Sequence, residues 1–169
     1  QLAKLEKGTA SLSDMAYSIV GVAPTSDIYA ATLAATKALP HSMSLAKADI
    51  TPPVAKPYVW SAERAGNAVT LNGFIPAETA RTAIVDAAKK IFAGAAIADK
   101  MQIAAGAPQN FLDAAMAGLN QLGTLVEGKA SLSDLAYSLT GRSAQFSVNT
   151  AALMADATDL IIFTQVNYY

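Results

Sequence analysis

Residues 61–76 read SAERAGNAVTLNGFIP, and the fold turns on how that stretch is understood. The segments on either side of Arg64-Ala65-Gly66-Asn67, YVWSAE at 58–63 and AVTLNGFI at 68–75, are rich in β-branched and aromatic residues. A Gly-Asn pair supplies the backbone angles that a two-residue reversal needs, so the stretch predicts a β-hairpin. Immediately after it, PAETARTAIVDAAKKIF at 76–92 keeps Ala80, Ala83, Ile84, Ala87, Ala88 and Ile91 on one helical stripe. Pro76 suits the first turn of that helix, Glu78 its positive end, and Lys89 with Lys90 its negative end. A short strand at 96–103 completes the unit of hairpin, helix and strand.

The same unit is written on both sides. Residues 8–21, GTASLSDMAYSIVG, and 128–141, GKASLSDLAYSLTG, are near copies, and extending them to 2–21 and 122–141 gives 12 identities in 20 positions. A repeat of that strength implies one supersecondary unit used more than once. Taken alone, the phrase also suits a short helix capped by Ser11 or Ser13 and ending at Gly21. Laid over the middle copy, however, Asp14 falls on Gly66 at the turn and Gly21 on Gly73, and the hairpin is the preferred reading. Asp14, Gly66 and Asp134 are then turn residues, while Gly21, Gly73 and Gly141 mark a tight exit or bulge in each second strand.

Helical patterns follow the outer copies at 26–39, with Ser26 as the expected cap, and at 147–157. Strand patterns follow those at 43–50 and 160–168. One extra helix, 108–122, precedes the third hairpin with Phe111, Ala115, Leu119 and Leu122 on one side. Proline and glycine punctuate the chain at 51–53 and 106–108. The expectation is an α+β protein of three tandem units, at 1–53, 54–106 and 107–169, each a small mixed sheet packed against helices.

An apolar-Thr-Leu-x-Gly strand followed by a helix and a strand resembles the BON domain family, and here Val69, Thr70, Leu71 and Gly73 carry the phrase. The first and third copies keep the glycine and the strand character but lose the Thr-Leu pair. The alanine-rich helices and proline-rich linkers are also similar to segments found beside OmpA-like domains of bacterial envelope proteins. The resemblance implies residence in the bacterial envelope, usually the periplasm. It also implies attachment to membrane phospholipid, to peptidoglycan or to an envelope protein, and it implies no catalysis.

Chemistry is sparse in the residues themselves. There is no cysteine, which excludes disulfides, thiolate metal sites and cysteine nucleophiles. His41 is the sole histidine, so neither SLSD phrase has the base that a serine nucleophile needs. The carboxylates form no closely spaced cluster and no glycine-rich phosphate loop follows a strand, so no catalytic, metal or cofactor site is predicted. With 12 basic and 13 acidic residues, the net charge of −1 gives no reason to seek nucleic acid.

Mean hydropathy is +0.31, but alanine carries much of it and no window reaches the roughly 18 apolar residues of a membrane helix. Residues 1–4 open directly into a patterned segment without a signal peptide, as in a mature chain or an excised piece. Tyr58 and Trp60 alternate along one strand and so face one side, either into a core or outward as an aromatic patch for a lipid interface or partner. Lys89 and Lys90 would border such a patch. The function expected is a non-enzymatic binding or scaffolding module; the alternative is a structural subunit of a homo- or hetero-oligomer.

Overall fold

A computed structural model describes residues 2–143 and 161–167. The chain divides into two compact units, Gln1–Val54 with Gln102–Ala105, and Ala55–Met101 with Gly106–Tyr169.

In the first unit, β1 (Lys7–Ser13) and β2 (Ala16–Val22) form an antiparallel hairpin closed by Asp14 and Met15 alone. Both turn residues have positive φ, 47° and 65°, the conformation whose twist matches that of the flanking strands. The SLSD phrase is therefore a hairpin turn, and the capped-helix alternative does not apply. Helix α1 (Ser26–Lys37) follows, and its cap is Thr25, one residue before the Ser26 expected, with the Thr25 hydroxyl accepting the Ile28 N–H at 3.3 Å. β3 (Ser44–Thr51) returns parallel to β2, completing a sheet of order β1-β2-β3. Ile19, Ala23 and Ile50 make the core of this unit, with Leu5, Ala10, Tyr17, Ile28 and Tyr29 packed partly against it.

The second unit contains two more hairpins. β4 (Val59–Ala65) and β5 (Ala68–Ile75) reverse through Gly66 and Asn67, and β7 (Glu127–Ser133) and β8 (Ala136–Arg142) reverse through Asp134 and Leu135. Gly66 and Asp134 have φ of 59° and 52°, so the first turn position is left-handed in all three hairpins. Helix α2 (Glu78–Ile91) leads into β6 (Ala96–Ile103), and α3 (Phe111–Gly123) precedes β7. Ala77 is the N-cap of α2, which places Pro76 just before the helix and outside its first turn. β9 (Ile161–Asn167) runs parallel to β8; the helix expected at 147–157 lies outside the described residues.

These strands form one six-stranded sheet of order β6-β5-β4-β7-β8-β9. The two hairpins meet where β4 and β7 pair antiparallel, with Ala62 facing Ala130 and the ends matched as Val59 with Ser133 and Ala65 with Glu127. Counted from their turns, Ala62 and Ala130 hold the same position, so the pairing has the symmetry of a two-fold axis through two alanines. The stretches expected as separate units at 54–106 and 107–169 thus share a sheet. They also share a core of Trp60, Leu71, Ile84, Leu119, Leu122 and Leu139, all fully buried.

Candidate functional site

The residues with the strongest sequence claim to a surface role are Tyr58 and Trp60, and both are 1% exposed. Alternation does put them on one side, opposite the exposed Val59, but that side faces the core. Phe111, the first residue of α3, lies edge-on to both rings, 5.4 Å from Tyr58 and 6.3 Å from Trp60. The Trp60 indole N–H donates to the Met101 Sδ at 3.2 Å, which removes the polar handle an interfacial tryptophan would show to water. These residues therefore form no aromatic contact patch; they are the seam between the sheet and α3.

Asp134 fixes the end of that seam. Its carboxylate Oδ1 accepts the Tyr58 N–H at 2.8 Å, and its own N–H donates to the Tyr58 carbonyl, also at 2.8 Å. A residue assigned to turning one hairpin thus also bonds the start of β4. The equivalent Asp14 turns its own hairpin. Burial pushes the Tyr58 phenol above its ordinary value, and the Tyr137 phenol likewise.

Arg64 carries a role that sequence reading missed. One terminal guanidinium nitrogen donates to the carbonyls of Gly123 and Leu125, at 3.3 and 2.6 Å, and the group lies 5.4 Å from the centre of the Phe92 ring. It thereby satisfies carbonyls at the end of α3, which has no basic residue in its last turn. A partner some sixty residues away leaves no local signal.

Lys89 and Lys90 are exposed at the end of α2, and His41 is exposed in the turn before β3. Among the described residues no group of three metal-ligating side chains comes together, and no helix is long and apolar enough to cross a membrane. Arg81 is engaged at 2.9 Å by Glu78 and at 2.7 Å by Asp99. The glycines marked by the repeat do structural work. A Cβ on Gly73 (φ 98°) would collide with the Val59 carbonyl, and Gly21 and Gly141 face Gly8 and Gly128 across their hairpins, where nothing larger fits.

What remains open is an apolar row on the first sheet. Leu12 pairs with Tyr17, and Tyr17 with Leu45, so the three side chains share the face that α1 partly covers. Leu12 and Leu45 stay exposed, as does Met15 in the adjoining turn.

Hairpin, helix and strand follow one another from β4 to β6, with Gly73 at the exit of the second strand. Residues 61–105 match the model of the BON-like domain family. The family match covers most of β4, with β5, α2 and β6 complete. BON domains are associated with the bacterial envelope and are generally non-catalytic. No curated protein matches the chain.

Proposed function

We propose that the protein is a non-enzymatic binding and scaffolding module of the bacterial envelope, holding a periplasmic or outer-membrane partner by surface contact. The observation that carries this reading is the BON-like match at 61–105, which falls on an intact hairpin, helix and strand. The first and third hairpins repeat the same turn and the same strand register, which supports reading the whole chain as three BON-like units. The contact surface is the apolar row of Leu12, Tyr17 and Leu45. It suits a protein partner better than a phospholipid surface, because Tyr58 and Trp60, the residues expected at a lipid interface, are in the core, and the row itself carries no basic residue.

Three parallel assays test this. Purified protein is co-sedimented with phosphatidylglycerol vesicles, co-sedimented with peptidoglycan sacculi, and cross-linked in an extract of envelope proteins. The expected result is a saturable cross-link to an envelope protein that Leu45→Asp abolishes. Retention by none of the three removes the binding role; retention by vesicles or sacculi alone moves the contact to another surface.

A second reading, that of a structural subunit, is favoured by one observation. Among the described residues strand β1 is the edge of its sheet, whereas its near copy β7 is paired on both sides.

A further inference from the structure

We infer that β1 is a self-association edge, through which two copies of the chain join their first units by antiparallel pairing of β1 with β1. The template lies within the molecule. β7 and β1 share five of seven residues, EGKASLS against KGTASLS, and β7 is held on its outer side by β4 in a register centred on Ala62 and Ala130. The residue of β1 equivalent to Ala130 is Ala10. Pairing two copies of β1 about Ala10 sets Thr9 opposite Ser11, Gly8 opposite Leu12 and Lys7 opposite Ser13.

Each of these pairs is compatible with a closed interface. No like charges meet, since Lys7 is the one charged residue on the strand and it faces a serine. Leu12, 58% exposed, is set opposite Gly8 of the second copy, whose face is covered by neighbouring leucines and not by a side chain of its own. The methyl groups of Leu2 and Leu5 already stand over Gly8, each 3.1 Å from where a Cβ would be, and Leu2 is itself 41% exposed. Leu12 of one copy therefore meets Leu2 and Leu5 of the other, and the two-fold axis repeats the contact. In the template Leu132 faces Trp60 in the equivalent pair and falls to 4% exposure. The edges at β3 and β6 are less suited, because Lys47 and Asp49 lie on one and Asp99 and Lys100 on the other.

Sedimentation equilibrium of the whole chain reads the result directly. A single strand pair buries a small interface, so the expected mass rises from monomer to dimer with a dissociation constant on the order of micromolar. Leu12→Asp, at an exposed position, is expected to keep the circular dichroism of the parent and to weaken the dimer about tenfold or more, by burying two carboxylates. The chain lacks cysteine, so Ala10→Cys places one thiol at the axis. Dissolved oxygen with a copper catalyst takes two electrons and two protons from a facing pair to form the disulfide, and Ala10→Cys should cross-link faster than Lys47→Cys. A monomer up to about 100 µM overturns the inference. So does a dimer that survives Leu12→Asp or that cross-links faster through Lys47→Cys. None of these outcomes depends on where the protein resides or on whether an envelope partner is found.

Discussion

The first and third hairpins are nearly one sequence, and they differ in what stands on them. In both, an aspartate with positive φ opens a two-residue turn, and seven residues later a glycine faces a second glycine across the strands. A leucine methyl, from Leu5 in one and Leu125 in the other, rests over the glycine pair. Yet Leu12 is exposed where Leu132 is buried, and Tyr17 is half-buried where Tyr137 is buried. The cause is β4, whose Trp60 faces Leu132, together with α3, which lies on β7 and β8 and has Gly118 at the contact with Tyr137 and Ala130. A Cβ there would stand 3.2 Å from the Tyr137 ring and 3.4 Å from the Ala130 Cβ. Conformation is set within the hairpin, whereas burial is set by what the rest of the chain brings to it.

The largest expected effect separates the two hairpins. Leu132→Ala should lower the stability of the second unit by about 2–4 kcal/mol, since it deletes buried methyl groups beneath a helix that cannot fully close the gap. Leu12→Ala, at an exposed site, should change stability by less than about 0.5 kcal/mol in dilute solution. Trp60 is the sole tryptophan and lies in the second unit, so its fluorescence during urea unfolding reports that unit; native-state hydrogen exchange of β1 and β2 amides reports the first. Equal costs at the two leucines would mean that the first hairpin is covered in solution as thoroughly as the third.

A smaller effect should be common to both. Gly21→Ala and Gly141→Ala should each cost about 1–3 kcal/mol. The added methyl would stand 2.6 Å from the Leu5 Cδ1 and 2.7 Å from the Lys7 carbonyl in the first hairpin. In the third the distances are 2.7 Å to the Leu125 Cδ1 and 2.5 Å to the Glu127 carbonyl. Backbone on the facing strand cannot yield as a flexible side chain can. A clear inequality, measured by the same two probes, would show that the glycine pair depends on its surroundings and is not intrinsic to the phrase.

This division explains which features were legible in sequence. The two-residue turns, the helix at 78–91 and the strand at 96–103 are written locally, in Gly66-Asn67, in the alanine and isoleucine stripe, and in the alternation before Ile103. Period-two alternation also placed Tyr58 and Trp60 on one side. It could not say whether that side was covered, because the covering residue is Phe111, some fifty positions away. The fusion of two hairpins into one sheet was equally hidden, since it is centred on Ala62 and Ala130, and alanine marks no strand edge in particular. The Arg64 contacts with the end of α3 and the Asp134 bonds to Tyr58 belong to the same class: each depends on a partner that only the folded chain supplies.

The smallest effect concerns the paired tyrosines and appears with pH. The Tyr137 hydroxyl donates to Gln121 Oε1 at 2.9 Å from beneath α3, and Tyr137→Phe should cost about 1 kcal/mol at neutral pH by removing that bond. Tyr17→Phe should cost less than about 0.5 kcal/mol. Burial holds the Tyr137 phenol above the value of about 10 that it has in the unfolded chain. Well below pH 10 both states keep the proton and the group makes stability no function of pH. As pH rises past about 10, the unfolded chain releases the proton while the folded one retains it, so stability falls with rising pH. Tyr58 is shifted in the same direction, by the same cause, and adds to the decline. Tyr137→Phe removes one of these two groups, so its urea midpoint, followed by Trp60 fluorescence from neutral to strongly alkaline pH, should start lower than that of the parent and fall less steeply. Parallel curves would mean that α3 does not keep Tyr137 from water, and with that the contrast between the two hairpins would lose its physical cause.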